Sequence, residues 1–147
     1  MEEIKIQKAE EKDWPYIKEK LEKYMLNGDS TQWSQFFVAR LEGKTVAFAR
    51  IIDRGEYFEL ASLGVDYYHR RKGIGFKMLL FLMEEARRMD PDKEMYGVTH
   101  RPGFLKKAGF EELSDGPEVL EDKRQTKCHD PSKARIMKYT GKNKEQK

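Results

Sequence analysis

The sequence has little cysteine, few prolines and no long hydrophobic run. Cys128 is the single cysteine among 147 residues, so no internal disulfide can form and a reducing compartment is expected. The longest apolar stretch, MLLFLM at 78–83, is far too short to span a bilayer. The first residues, MEEIKIQKAEEKDW, lack the basic and apolar regions of a signal peptide. These features predict a cytoplasmic protein without a membrane partner.

Neither sign of charge dominates the chain. Lys and Arg number 29 against 26 Asp and Glu, so the formal net charge is only +3. Positive charge gathers in RRK at 70–72 and in the tail KYTGKNKEQK, which leaves open a protein that contacts RNA or DNA through these segments. The near balance of acidic and basic residues argues against that class. We therefore predict no nucleic-acid partner.

Hydrophobic periodicity predicts strands and helices around one sheet, in a mixed α/β (α+β) domain. Tight turns at EGK and RGE join three consecutive strands, which indicates antiparallel pairing. The predicted elements are a strand at Glu2–Lys8, a helix from an Asp13 N-cap to about Leu26, strands QFFVARL, TVAFARIID and YFELASLGV, a helix at Ile74–Met89, a strand MYGVT, a short helix PGFLKKA, a strand from FEEL and a last strand ARIMKYT.

The length of the chain fits one domain. We predict a single domain at residues 1–141 and a basic flexible tail at 142–147. Ser114–Lys133 has little hydrophobic pattern and is predicted to be a long charged loop. Its function could be that of a flap beside a binding site; the alternative is a disordered insertion.

The segment RRKGIG places charge and glycine between a predicted strand and a buried helix. A helix N-terminus leaves backbone N–H groups without acceptors and carries partial positive charge. Glycine allows a ligand to approach the backbone closely. With Arg70, Arg71 and Lys72 added, the segment predicts a site for a phosphate or pyrophosphate. The alternative is a solvated basic loop with a glycine turn.

Two common phosphate motifs do not fit this segment. The dinucleotide fingerprint requires a small residue three positions after Gly75, where the chain has Met78. A hairpin precedes the segment, whereas that fingerprint lies within a βαβ unit. A P-loop requires Gly-Lys followed by Ser or Thr, and here Lys72 precedes Gly73.

A third motif fits in register. LGVDYYHRRKGIGFKMLLFLMEEA resembles the acyl-CoA-binding motif of the GNAT (GCN5-related) acetyltransferase family, through Val65, Arg70, Gly73 and Gly75. FLKKAGFEEL is similar to the FYxKxGF segment of that family, through Phe104, Lys107, Gly109 and Phe110. The order of predicted elements along the whole chain also agrees with the family.

The resemblance implies a mostly antiparallel central sheet flanked by helices, with a splayed parallel strand pair that holds acyl-CoA. Those strands would be Tyr57–Val65 and Met95–Thr99. It also implies acetyl-CoA as cosubstrate, with its pyrophosphate on the amides of Arg71–Gly75 and its pantetheine arm along the first strand. The residues implied to bind the cosubstrate are Leu63, Gly64, Val65, Arg70, Arg71, Lys72, Gly73, Ile74, Gly75, Phe104 and Lys107.

The activity implied by the resemblance is transfer of an acetyl group to a primary amine by direct attack in a ternary complex. The acceptor could be a small amine, an amino acid or a protein amino group. A backbone N–H near Gly64 or Val65 could stabilise the oxyanion. A non-catalytic sensor of acetyl-CoA is the alternative function. Family members often form homodimers, although no feature of the sequence indicates one.

The resemblance also implies a general base at Glu59, which precedes Arg70 by the same spacing as the glutamate base of histone-type members. The alternative is a solvent-exposed glutamate at the strand end. Many members carry a tyrosine as leaving-group acid where this chain has Leu105. His100 and Tyr139 are the replacement candidates; His100 could instead be a helix-entry residue without a chemical role.

Two further groups of residues invite a functional interpretation. Cys128, His129 and Asp130 are adjacent in sequence, and adjacent side chains rarely converge on a metal, so we predict no metal site. The aromatic segment between Trp33 and Phe37 could line an acceptor pocket, because the corresponding family segment shapes that pocket. Aromatic residues at such spacing are also typical of a hydrophobic core.

Overall fold

The computed structural model describes residues 4–23, 32–124 and 134–141, which form seven strands and four helices. The strands are β1 (Ile4–Lys8), β2 (Phe36–Leu41), β3 (Lys44–Asp53), β4 (Tyr57–Val65), β5 (Glu94–Thr99), β6 (Phe110–Leu113) and β7 (Arg135–Tyr139). The helices are α1 (Trp14–Lys23), α2 (Ile74–Met89), α3 (Pro102–Lys106) and α4 (Glu118–Arg124). The predicted tail at 142–147 lies outside the described residues.

The strands form one sheet in the order β1-β2-β3-β4-β5-β7-β6. β1 with β2, β2 with β3, β5 with β7 and β6 with β7 are antiparallel pairs. β4 and β5 run parallel, with Tyr57 opposite Glu94 and Glu59 opposite Tyr96. The predicted mixed, mostly antiparallel sheet with one parallel pair is confirmed. The splaying of that pair around acyl-CoA remains a prediction.

The chain divides into two compact units, one from residues 1–52 and 60–91 and the other from 53–59 and 92–147. In the first unit, β2 and β3 form a hairpin in which Leu41 pairs with Lys44. The two turn residues, Glu42 and Gly43, have φ values of 52° and 80°, as a type I′ turn requires. The whole-chain domain predicted from length is not tested by this division.

Helix α2 turns one apolar face into the first unit and follows its predicted bounds. Its buried residues recur at helical spacing: Ile74, Met78, Leu79, Leu82, Met83 and Ala86. A separate cluster of the same unit packs α1 against β2 and β3 through Ile17, Leu21, Phe36, Val38 and Phe48. Phe36 and Phe37 are both buried, so these two aromatic residues belong to the core.

In the second unit, the sheet edge β5-β7-β6 carries a small core of Tyr96, Leu120 and Ile136. Leu120 belongs to α4, so the prediction of a loop over Ser114–Lys133 is wrong at Glu118–Arg124, and residues 125–133 of that segment lie outside the described ranges. Pro117 directly precedes this helix, and its carbonyl accepts hydrogen bonds from the N–H groups of Leu120 and Glu121. A seven-residue helix is too short to show a clear periodicity, and Leu120 is fully buried among its described side chains.

The start of α1 also differs from the prediction. Asp13 is the last residue of a 3₁₀ turn, Glu11–Asp13, that leads directly into the helix. Its carboxylate accepts a hydrogen bond from the Glu10 N–H at 2.7 Å and forms an ion pair with Arg40 at 3.0 Å. Asp13 therefore caps the 3₁₀ turn and ties it to β2. The predicted end of α1 near Leu26 lies outside the described residues.

Candidate functional site

The RRKGIG segment joins β4 to α2 through a left-handed glycine. Gly73 has φ 79° and is the N-cap residue of α2, and its carbonyl accepts the first helical hydrogen bond, from Lys77. A Cβ at Gly73 would meet nothing within 4 Å, so the space above this position is open. The first N–H groups of a helix have no acceptor within the helix. The segment thus presents helix N–H groups beside open space, a geometry that suits an anion.

Two exposed cations precede this helix start. Arg71 and Lys72 are both exposed, and Arg71 adopts φ 66°, a left-handed conformation that residues other than glycine rarely take. The buried Ile74 anchors the other side of the turn. Positive side chains and helix amides therefore lie within one short segment. Their binding of a cosubstrate stays a prediction.

Arg70 folds back along the chain. Its Nε donates a hydrogen bond to the Val65 carbonyl at 2.9 Å, and its guanidinium lies 5.6 Å from the centre of the Tyr67 ring. The motif arginine therefore closes the short 3₁₀ turn Tyr67–His69 between β4 and the glycine segment. This contact holds the loop in shape without occupying the open space at Gly73.

Asp66 anchors the same turn to the sheet and to α1. Its N–H donates to the Val46 carbonyl at 2.7 Å, and its carboxylate lies 2.9 Å from His69 Nδ1 and 3.8 Å from Lys20 Nζ. Burial alone would raise the pKa of Asp66, but the contact with His69 and the charge of Lys20 outweigh burial and lower it. Asp66 therefore stays ionised in neutral solution and fixes the end of β4.

Within β4, Ser62 has φ 58° although it lies inside a strand. A left-handed residue in a strand is typical of a β-bulge and interrupts the regular alternation of faces. Leu63 and Val65 are half-buried, and Gly64 is buried.

Glu59 is completely buried, so the alternative of a solvent-exposed glutamate is wrong. Its Oε1 accepts two hydrogen bonds from Arg54, from Nε at 3.1 Å and from Nη2 at 2.8 Å. The guanidinium compensates the charge of a carboxylate that burial would otherwise disfavour. The role of Glu59 as a general base remains a prediction.

The remaining candidates lie in the second unit. His100 is exposed directly after β5. The Tyr139 ring packs 5.6 Å from Phe110, and its Cε1 would lie 3.0 Å from a Cβ at Gly109. In or beside α3, Phe104 is half-buried and Lys107 is exposed. The catalytic roles of His100 and Tyr139 and the binding roles of Phe104 and Lys107 stay predictions.

Sequence reasoning did not single out two arginines that hold β4 in place. Arg54 contacts Glu59, and Arg50 is 1% exposed and donates to Ser62. The available signal for Arg50 was a charged residue inside the apolar stretch VAFARII at 46–52. A charge in such a strand is costly unless other groups hydrogen-bond it, which marks a position with a specific partner.

No metal site or membrane span emerges from the described parts of the chain. Within residues 4–23, 32–124 and 134–141, His, Cys, Asp and Glu side chains form no group of three or more that could hold a metal ion. The adjacent Cys128, His129 and Asp130 lie outside those ranges. Over the same residues, every helix is too short or too polar to cross a membrane.

Comparison with known proteins identifies the family. The family model "Acetyltransferase (GNAT) domain" matches residues 32–112, from the end of the first gap to β6. A comparison with curated proteins found no significant match. Among solved structures, many chains match significantly.

N-acetylglutamate synthase from Neisseria gonorrhoeae, complexed with coenzyme A and N-acetyl-glutamate, matches with a TM-score of 0.75 and 18% identity over 93% of this chain. This chain spans only 35% of that synthase chain. Rv2747 from Mycobacterium tuberculosis, in complex with CoA and NLQ, has a TM-score of 0.72 and 19% identity over 92% of this chain and 98% of its own.

The ribosomal-protein-S18-alanine N-acetyltransferase from Escherichia coli has a TM-score of 0.65 and 18% identity, and the match covers 93% of each chain. At these identities the three structures show a shared fold. The family model covers more than half of the 147 residues and includes the whole segment from β2 through the glycine turn to β6. The chain therefore belongs to the GNAT acetyltransferase family.

Proposed function

We propose that the protein transfers the acetyl group of acetyl-CoA to a primary amine by direct attack in a ternary complex. The observation that carries this proposal is the start of α2. There, a left-handed Gly73 beside open space follows two exposed cations in a chain of the GNAT family. Structures of similar fold contain coenzyme A, which supports the same ligand here.

The diphosphate of coenzyme A would accept hydrogen bonds from the amides of Arg71–Gly75. Helix N–H groups and the helix dipole favour such an anion. Arg71 and Lys72 would add attraction that weakens as salt screens it. The backbone of Leu63–Val65 would hold the pantetheine arm as an added strand does. No metal takes part in this proposal.

The reaction requires three groups besides the substrates. A neutral amine attacks the thioester carbonyl and forms a C–N bond, and a backbone N–H near Gly64 or Val65 stabilises the oxyanion. The C–S bond then breaks, and coenzyme A leaves as a thiolate that takes up a proton. Glu59, acting through water, would remove the proton of the amine, and His100 or Tyr139 would supply the proton to the thiolate.

A non-catalytic sensor of acetyl-CoA is the second candidate, and one position favours it. Leu105, where many family members have a tyrosine acid, is 7% exposed and lies in α3, so this position offers no hydroxyl. A sensor would require the same diphosphate site without a leaving-group acid. Catalysis and sensing therefore differ in turnover and not in coenzyme binding.

The activities of similar proteins suggest two classes of acceptor amine. One is an N-acetylglutamate synthase and another acetylates an alanine of a ribosomal protein, so amino acids and protein amines are both included. A homodimer and a cytoplasmic location remain part of the proposal. The dimer is proposed because family members often dimerise, and the location is proposed from the composition of the chain. Measurement of the molecular mass in solution tests the dimer.

Calorimetric titration with coenzyme A and acetyl-CoA tests the binding step, and release of free thiol with an amine panel tests turnover. The panel should contain L-glutamate, a diamine and a peptide with an N-terminal alanine. Heat on titration together with amine-dependent thiol release supports the transferase. Binding without thiol release from any amine supports the sensor, and the absence of binding to either coenzyme overturns both.

A further inference from the structure

Arg50 is a buried cation to which the proposed reaction assigns no role. Its Nε donates to the Ser62 hydroxyl at 3.0 Å, and its Nη1 donates to the Gln35 side chain at 3.1 Å. The guanidinium also lies 5.9 Å from the centre of the Phe36 ring. Burying a charged side chain carries a desolvation penalty, so we ask what the contacts of Arg50 contribute to function.

Ser62 is the residue that needs support. Its left-handed conformation inside β4 is unfavourable for a residue with a Cβ, and the surrounding structure must hold it in place. Bulges of this kind change the direction of the following part of a strand and are frequent beside active sites. The hydrogen bond from Arg50 holds the Ser62 side chain while its backbone adopts this conformation.

Three contacts with β3 hold the segment Leu63–Val65, which follows Ser62. Arg50 holds Ser62, the Phe48 ring packs under Gly64, and the Val46 carbonyl accepts a hydrogen bond from the Asp66 N–H. Successive contact residues are two positions apart on β3, and their partners from Ser62 to Asp66 are also two positions apart. Leu63–Val65 is therefore held at both ends and supported in the middle, which leaves little freedom in the direction of its N–H groups.

We propose that Arg50 is a positioning residue for the acetyl thioester. It holds Ser62 in the left-handed conformation and so sets the direction of the N–H groups at Leu63–Val65 that meet the thioester carbonyl. Arg50 itself does not touch the substrate. This inference rests on the proposed function, because it requires acetyl-CoA beside β4.

Three substitutions separate the contact from the fold. Ser62→Gly keeps the left-handed backbone and removes the hydroxyl, whereas Ser62→Asn tolerates the same backbone and offers a side-chain carbonyl to Arg50. Arg50→Met fills similar space without charge, and such replacements of buried ions are often tolerated. If Arg50→Met does not fold, Ser62→Gly alone decides the test.

Arg40→Met is the matched control. Arg40 is the other largely buried arginine of the described first unit, and its partners Glu10, Asp13 and Thr45 are far along the chain from the glycine segment. Its loss should destabilise the protein and leave the binding of both coenzymes unchanged. A change in ligand selectivity then cannot be attributed to lower stability.

The measurements are calorimetric affinities for acetyl-CoA and coenzyme A, and the infrared stretch of a ¹³C-labelled thioester carbonyl in the complex. Ser62→Gly and Arg50→Met should weaken acetyl-CoA binding about tenfold, and coenzyme A binding by less than about twofold, because one hydrogen bond to the carbonyl is impaired. The carbonyl stretch should move to higher frequency in both variants. Ser62→Asn should keep the wild-type affinity for acetyl-CoA and the wild-type frequency of the carbonyl stretch.

Unchanged selectivity and an unchanged carbonyl stretch in Ser62→Gly overturn the role of Arg50, while binding of coenzyme A by the wild-type protein leaves the proposed function standing. If the wild-type protein binds neither coenzyme, the proposed function fails and the role of Arg50 fails with it. The two failures are therefore distinguished by the wild-type titration.

Discussion

Gly64 lies so close to the Phe48 ring that a Cβ at position 64 would be 2.5 Å from the ring Cζ. Side-chain carbons essentially never approach so closely, and Phe48 is fully buried. The glycine expected from the family resemblance to bind acyl-CoA is therefore also required for packing between β3 and β4. Its two requirements can be separated by experiment.

Gly64→Ala should lower the free energy of unfolding by about 1–3 kcal/mol, because the added methyl group overpacks the site. Phe48→Leu in the same chain should recover part of that loss, a coupling that a double-mutant cycle in urea measures. Gly103→Ala is the control, since a Cβ at Gly103 would meet nothing within 4 Å. A Gly64→Ala protein as stable as wild type would contradict the packing requirement.

Gly73 and Gly43 form a matched pair for testing the anion site. Both have positive φ, and a Cβ at either would meet nothing within 4 Å. Leucine at either position should cost about 1–2 kcal/mol of stability through backbone strain. Only Gly73→Leu should also abolish calorimetric binding of coenzyme A, because only its side chain would enter the space proposed for the diphosphate. Equal affinity in both variants would contradict the site.

Glu59→Gln tests the proposed base. The glutamine carbonyl can still accept from Arg54, so the fold should survive with a stability loss on the order of 1 kcal/mol. Turnover with a responsive amine should fall by about 100-fold or more, whereas the affinity for coenzyme A should change little. Thiol release across a pH series and calorimetry measure the two quantities.

Asp53→Asn is the control for Glu59→Gln, because Asp53 belongs to the same turn region and forms an ion pair with Lys93 at 2.8 Å. Its hydrogen bonds from Lys93 and the Gly55 N–H lower the pKa of Asp53, so its replacement also removes a charged group. Turnover should remain at the wild-type value. Full activity of Glu59→Gln at every pH would exclude the base role.

The ion pair of Asp13 should make the free energy of unfolding fall in acid. Burial alone would raise the pKa of Asp13, but hydrogen bonds from Arg40 and the Glu10 N–H outweigh burial and hold the pKa below its usual 3.8. Between the folded pKa and the unfolded value of about 3.9, the unfolded chain binds more protons, so stability rises with pH there. The contribution is present above about pH 4 and is lost as the pH falls through the folded pKa.

Urea unfolding between about pH 2 and 6 measures this effect. The difference in unfolding free energy between the wild-type protein and Asp13→Asn should shrink as the pH falls below about 4. In the Arg40→Met background, Asp13→Asn should alter the pH dependence much less, since the compensating cation is absent. A constant difference between wild type and Asp13→Asn over the whole range would contradict the assignment.

The elements with strong local patterns were predictable. The α2 helix follows its predicted bounds because Pro91 and the glycine turn delimit sixteen residues with a continuous apolar face. The β2–β3 hairpin follows from EGK, whose first two residues, Glu42 and Gly43, adopt the backbone that such a turn requires. Helix α4 was missed because its stability depends on burying Leu120 in the core of the second unit.

The candidate site was predictable only in part. The position of the glycine turn before α2 follows from adjacent residues, and local sequence describes it well. The partners of Glu59 and Ser62 could not be inferred: Arg54 and Arg50 reach them across turns and strands. Ser62 also adopts a left-handed conformation inside β4 that no residue preference predicts.

The sequence by itself determined the family, the order of the elements and the glycine-rich turn, because motif spacing, periodicity and turn chemistry are properties of neighbouring residues. The tertiary structure alone decided that Glu59 is buried against Arg54, that Gly64 lies against Phe48, and that Arg50 supports Ser62. The last two relationships join residues of β3 and β4, and Arg54 belongs to the turn between these strands. All three relationships depend on strand register and close packing, which no local pattern encodes.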